Sequence, residues 1–228
     1  MSVNPNIAEV VSLMGESSRA AILTSLMDGR FHTAGELAYM AAIKPQTASF
    51  HLAKLVEAGC VIVEKHGRFR YYQLANQEIA NILETLLSVA PPPRVNSLMQ
   101  SSQLKAIRNA RTCYDHLAGS LGVGLTESMV GAGYLEKEEK EFKVTSKGEQ
   151  FFADFGIDIA AVRKKRRSFS RACLDWSERH HHLAGALGEE LATRLFELEW
   201  IVRLPKTRAV KITEKGRLGF REYFHLSI

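Results

Sequence analysis

Thr33-Ala-Gly-Glu-Leu-Ala38 and Phe50-His-Leu-Ala-Lys-Leu55, closing at Glu57-Ala-Gly-Cys60, decide how this chain begins to fold. Thr33 and Glu36 have capping-box spacing, which predicts a helix opening at Ala34 with Leu37, Ala38 and Ala41 on its apolar side. The turn falls at Ala42-Ile43-Lys44, because Pro45 suits the first turn of a following helix, where its missing N–H is not needed. In that second helix Ala48, Leu52, Leu55 and Val56 share one side at spacings of three and four. The other side presents Gln46, Thr47, Ser49, Phe50 and Lys54, with His51 on the border. The pair reads as a helix-turn-helix whose second helix can lie in a DNA major groove. There Gln can bond adenine, Ser or Thr can reach bases or phosphates, and an apolar group can meet a thymine methyl.

The residues after this helix strengthen that reading. Gly59 ends the helix, Val61-Ile-Val63 is β-branched, His66-Gly67 offers a turn, and Phe69-Arg-Tyr-Tyr-Gln-Leu74 is a second strand. A hairpin placed directly after a helix-turn-helix is a wing. Lys65, His66, Arg68 and Arg70 around its tip place cations beside a phosphate backbone.

Gln46-Thr-Ala-Ser-Phe-His-Leu-Ala-Lys-Leu55, Leu55-Val-Glu-Ala-Gly59 and Gly67-Arg-Phe-Arg-Tyr-Tyr72 together resemble the winged-helix DNA-binding domain of ArsR-type bacterial repressors, over about the first ninety residues. The resemblance implies a homodimeric transcriptional regulator, usually a repressor released by an effector. It also implies that the first and last helices of the domain pair across a dimer axis. Two departures matter. Phe50 stands where such families usually carry a polar or basic residue. The helix Glu36-Leu-Ala-Tyr-Met-Ala41 has no cysteine where metalloid-sensing members carry a Cys-x-Cys pair.

With 228 residues, the chain has room for one large domain or two small ones, and 46% hydrophobic with 24% charged residues is ordinary for a globular protein. The net charge of +5 suits an anionic partner. Neither a secretion signal nor an apolar run long enough for a membrane span is visible, so a cytoplasmic protein is expected. Cys60, Cys113 and Cys173 are an odd number, far apart, and read as reduced thiols.

Upstream, Ile7 to Met27 reads as two helices interrupted at Gly15, with Ser17 or Ser18 capping the second. Downstream of the wing, Asn76 caps a helix to about Val89 with Ile79, Ile82, Leu83, Leu86 and Leu87 on one stripe. Pro91-Pro-Pro93 then breaks the chain. The expected domains are residues 1–90, a winged helix-turn-helix for DNA binding and dimerisation, a linker at 91–93, and a C-terminal domain at 94–228. Within the last, His116-Leu-Ala-Gly-Ser-Leu-Gly122 returns as His182-Leu-Ala-Gly-Ala-Leu-Gly188, six of seven residues identical at an offset of 66. Val144-Thr-Ser-Lys-Gly148 returns as Ile212-Thr-Glu-Lys-Gly216 at an offset of 68. The domain reads as a duplication, with repeats at about 113–156 and 173–228. Each copy should run helix, hairpin, then a helix opening at Lys-Gly. Between the copies, Asp158 to Arg179 is expected to be one long helix carrying the basic run Arg163-Lys-Lys-Arg-Arg167, read as a solvated face. The fold class expected is mainly α with small β-hairpins, followed by an α+β domain of two repeats.

Chemistry beyond DNA is less sharply marked. Cys113 with His116, and Cys173 with His180, have spacings that would share a helix face, and thiolate with imidazole suits zinc-like ions. The repeat, however, sets Cys113 opposite Arg179, so the copies do not reproduce a ligand set and no metal or other cofactor is assigned. His116, Trp176, His182 and Trp200 are the tentative lining of an effector site between the copies, for an unknown small molecule or ion. No phosphate loop, nucleophile elbow or His-Glu-x-x-His pattern marks an enzyme. The expectation is a sequence-specific DNA-binding regulator acting as a repressor released by an effector sensed in the C-terminal domain. The alternatives are a metal- or thiol-responsive regulator using Cys113/His116 or Cys173/His180, and an architectural DNA binder with no effector.

Overall fold

The computed structural model describes residues 6–228. Its elements divide into two compact units, one running through Leu83 and including Pro205–Thr207, the other comprising Glu84–Leu204 and Arg208–Ile228.

In the first unit, α1 (Ile7–Met14) and α2 (Ser17–Ser25) lead through a short 3-10 turn to β1 (His32–Thr33), α3 (Ala34–Met40) and α4 (Pro45–Glu57). The capping box forms as its spacing predicts: Glu36 N donates to Thr33 Oγ1, and the Glu36 carboxylate accepts from Thr33 N. Pro45 occupies the first turn of α4. The cap of α2 is Glu16, not Ser17 or Ser18; its carboxylate accepts from the backbone of both Ser18 and Arg19, and a carboxylate with two amide donors outcompetes one hydroxyl. Ile22, Leu23, Leu26, Leu37, Ala48, Leu52 and Leu55 are fully enclosed and form the core that fixes α4 against α2 and α3. The wing pairs β2 (Val61–His66) antiparallel with β3 (Phe69–Leu74), and β1 adds to the other edge of β3. His66 faces Phe69 across a two-residue turn in which Gly67 takes a positive φ of 59°. Asn76 Oδ1 accepts from Ile79 N at the start of α5 (Gln77–Val89), as expected of a cap.

The second unit continues with α6 (Leu98–Asn109) and then two copies of one plan. The first copy is the hairpin β4 (Arg111–Cys113) and β5 (His116–Ala118), then α7 (Gly119–Gly131), the hairpin β6 (Leu135–Lys137) and β7 (Phe142–Val144), and α8 (Ser146–Asp154). After α9 (Ile159–Arg163), the second copy repeats it as β8 (Arg171–Leu174), β9 (His181–Ala184), α10 (Gly185–Glu197), β10 (Ile201–Arg203), β11 (Val210–Ile212) and α11 (Glu214–Phe224). The Thr-x-Lys-Gly repeat has a physical reason. Thr145 and Thr213 cap α8 and α11 by accepting from Gly148 N and Gly216 N. A Cβ on either glycine would lie 2.0 Å from Tyr134 O or 2.1 Å from Trp200 O, so both positions admit glycine alone. The copies interlock: α7 packs on β9, α10 packs on β5, and one apolar core containing Leu121, Leu125, Phe152, Leu187, Leu191 and Phe220 serves both.

The long helix expected from Asp158 to Arg179 does not form. Asp158 caps α9, which ends at Arg163, and the chain then enters β8, whose backbone pairs with β9. Tertiary strand pairing overrides the local helical pattern there. The basic run is tied down by carboxylates on the way: Arg163 to Glu149, Lys165 to Glu189 and Glu190, and Arg167 to Asp115. Cys113, His116 and Cys173 therefore lie on strands, and His180 immediately precedes one; none of these pairs shares a helix face.

Candidate functional site

The exposed side of α4 carries Gln46, Ser49, Phe50 and Lys54 in solvent, with Thr47 half-buried. Phe50 is 58% exposed, and the Lys54 ammonium rests 4.5 Å from its ring centroid. His51, on the border in the helical pattern, turns inward; its Nδ1 lies 3.5 Å from both Glu16 Oε2 and Arg19 Nη1, which ties α4 to the start of α2. Lys65, His66, Arg68 and Arg70 are all exposed on the wing. Glu64 sits 3.1 Å from His66 Nε2, and the Arg68 guanidinium covers the Phe69 ring at 5.0 Å. Between α4 and the wing runs a groove of about 680 Å³ with Ser49, Val56, Arg68 and Phe69 in its walls. A short polar helix face beside a cationic hairpin is what a major groove and its flanking phosphates require.

A second constellation lies in the other unit. Cys113, His116, Cys173 and His182 are all buried, and their sulfur and ring-nitrogen atoms lie within 4.8 Å of one another. Strand register explains the convergence: Cys113 faces His116 across β4–β5, and Cys173 faces His182 across β8–β9. The two imidazoles point Nε2 at Nε2, 3.1 Å apart. Behind each ring stands a carboxylate. Asp115 Oδ1 is 3.0 Å from His116 Nδ1, and Asp175 Oδ2 is 3.3 Å from His182 Nδ1, though without good hydrogen-bond alignment.

Each carboxylate is held ionised by its histidine first and by an arginine beside it. Asp175, fully enclosed, accepts from Arg111 Nη2 at 2.9 Å, Gly119 N at 2.7 Å and Ser177 N at 2.9 Å. Burial opposes its ionisation, but the His182 ring, the Arg111 charge and these amides hold it well below the usual carboxylate range. Asp115 is lowered in the same way against its own burial, by His116 and Arg167. Burial disfavours a charged His116, yet Asp115 and the Cys173 sulfur push it up to about 9. The Cys173 thiol is pulled well below its ordinary range, chiefly by a hydrogen bond from Cys113, whereas desolvation pushes Cys113 up.

The duplication does reproduce this ligand set, contrary to the register that set Cys113 opposite Arg179. Arg111-Thr-Cys-Tyr-Asp115 returns as Arg171-Ala-Cys-Leu-Asp175 at an offset of 60, and the histidines follow at 66. The turn joining the strands is six residues longer in the second copy, since 66 − 60 = 6. The shared Arg-x-Cys-x-Asp is the signal the sequence carries, and the longer second turn takes it out of register with the histidines. His180 is not part of the cluster; its Nδ1 meets Glu127 at 2.8 Å on the surface.

The four residues expected to line an effector site are placed in three different settings. His116 and His182 meet in the cluster. Trp176 lies against the Arg111 guanidinium at 4.7 Å. Trp200 belongs to the aromatic core with Phe155, Phe220 and Phe224, and closes over Gly219, where a Cβ would come within 2.1 Å of the indole.

Residues 14–64 match the helix-turn-helix domain family. Over 226 residues the chain is 56% identical to YdfF of Bacillus subtilis strain 168, described as an uncharacterized HTH-type transcriptional regulator, covering 99% of this chain and 100% of that one. Among solved structures, reduced HlyU from Vibrio cholerae is 26% identical, with 38% of this chain and 90% of that chain covered at a TM-score of 0.34. The transcriptional repressor BigR from Xylella fastidiosa is 22% identical, with 38% and 88% covered at a TM-score of 0.35. The helix-turn-helix geometry and a relative matched end to end lead to one conclusion: the chain belongs to the HTH-type transcriptional regulators.

Proposed function

We propose that this regulator is an ArsR-type homodimeric repressor that reads an operator with α4 and is released by an effector acting on its C-terminal domain. The observation that carries the DNA reading is the solvent-facing Gln46-Thr47-Ser49-Phe50-Lys54 side of α4, flanked by the cations of the wing. A helix buried on one side by Ala48, Leu52 and Leu55 and polar on the other is positioned to enter a major groove. The homodimer is supported by apolar side chains left in solvent on α1, Ile7 and Val11, and on α5, Ile82 and Leu86. Residues 1–90 carry DNA binding and dimerisation, 91–93 act as a linker, and 94–228 receive the signal.

Sequencing the genomic DNA fragments retained by the purified protein tests this reading. Enrichment of an inverted repeat with half-sites about 10 bp apart, or a small multiple of that, supports it. Uniform recovery of all sequences points to an architectural binder instead.

A further inference from the structure

We propose that Cys113, His116, Cys173 and His182 bind one zinc-class divalent cation, as a closed four-ligand site joining the two copies of the C-terminal domain. Two sulfurs and two imidazole nitrogens form a donor set suited to tetrahedral zinc, and all four side chains are buried, as in a site with no position left open for a substrate.

The distances fit with small adjustments. Tetrahedral zinc at ordinary bond lengths places two nitrogens about 3.4 Å apart and two sulfurs about 3.8 Å apart. Here the nitrogens stand at 3.1 Å, and no ligand pair exceeds 4.8 Å.

Tautomers point the same way. A carboxylate beside each Nδ1 favours the proton on that nitrogen, which is the arrangement that orients metal-bound histidines. With each Nδ1 turned to a carboxylate, the two Nε2 atoms are the ring nitrogens that face the interior of the cluster, 3.1 Å apart. A divalent ion with two thiolates and two neutral imidazoles is neutral overall, so the ion and its four ligands carry no net charge; two protons leave the ligand set to solvent on binding.

The scaffold is built twice for this purpose. Each cysteine faces its histidine in strand register, and each histidine packs beside a glycine of the opposite copy. A Cβ on Gly188 would stand 3.3 Å from His116 Cβ, and one on Gly122 would stand 3.7 Å from His182 Cβ. Each copy supplies one sulfur and one nitrogen, so the ion would hold the copies together across their shared core. Neither this site nor its readout depends on the DNA-binding reading.

The test uses the full chain kept reduced throughout. Metal content is measured as purified, and the stripped protein is then titrated with Co(II). The expected result is one equivalent bound per chain, with the visible bands of tetrahedral cobalt and a thiolate-to-cobalt charge-transfer band, all displaced by Zn(II). Cys173→Ser should diminish the charge-transfer band, while Cys60→Ser should leave it unchanged. Asp115→Asn should retain the spectrum and weaken affinity about 10- to 100-fold. If the wild-type chain binds no Co(II), or binds it without the charge-transfer band, the proposal is overturned; that holds even if Cys173→Ser does not fold.

Discussion

Replacing Asp175 by alanine should destabilise the C-terminal unit by about 3–5 kcal/mol, the usual cost of removing one partner of a buried ion pair. Neither side chain of the Arg111–Asp175 pair is exposed to solvent. After the substitution Arg111 keeps Ile107 O at 3.3 Å and Ser177 Oγ at 3.2 Å, but it has no counter-charge. Gly119 N also loses its acceptor. A surface pair would be worth about 0–1 kcal/mol, so the size of the loss discriminates between the two situations. Both tryptophans of the chain, Trp176 and Trp200, lie in the second unit, so their fluorescence follows that unit alone during urea unfolding. With a slope of about 2 kcal/mol/M, the midpoint should fall by about 1.5–2.5 M. Chelator in every sample removes any contribution from bound metal. Arg111→Met combined with Asp175→Leu should cost less than Asp175→Ala, because no charge is then stranded. A loss below about 1 kcal/mol for Asp175→Ala, or a double variant worse than the single one, would refute the assignment of this pair as the buried brace of the unit.

Other outcomes concern the first unit and the division of the chain. Arg68→Ala on the wing should weaken all DNA sequences alike and lower the salt slope by about one, measured by titration at several salt concentrations. Phe50, exposed on α4, should face a thymine methyl; replacing that thymine by uracil should reduce affinity, and equal binding would assign the ring to contacts within the protein. Asp28 is buried against His32 at 2.8 Å and Arg30; desolvation raises its pKa, but these partners lower it further, to below the ordinary value. Its stabilising contribution is therefore present above the unfolded value of about 3.9 and is lost as pH falls through the lower folded value. Asp28→Asn should flatten the acid limb of the stability curve below about pH 4, followed by circular dichroism. A chain ending at Pro92 should dimerise and bind the operator without responding to the effector of the full protein; a retained response would place the signal in the winged helix.

The helix-turn-helix was legible because its signals are local. Thr33 with Glu36 forms its box within one turn, Pro45 marks a helix start, and Ala48, Leu52 and Leu55 define a buried side without reference to anything distant. The duplication was legible for a different reason: Gly148 and Gly216 each meet a carbonyl that leaves no room for a side chain, so their sequence context persists in both copies. The Cys–His cluster was not legible from spacing. Its ligand pairs are cross-strand neighbours separated by turns of different length, and a register match with a six-residue difference in the turn has no fixed sequence period. The stretch after Asp158 misled for a related reason, since β8 is held by pairing with β9 and its own residues do not announce a strand.

The central claim, that α4 reads bases, is tested most directly by measuring the affinities of wild type and Ser49→Ala for a selected operator and for random DNA of the same length. A loss of about 1–3 kcal/mol on the operator, with random DNA bound as before, is the predicted result. Equal loss on both, or no loss on the operator, would contradict it.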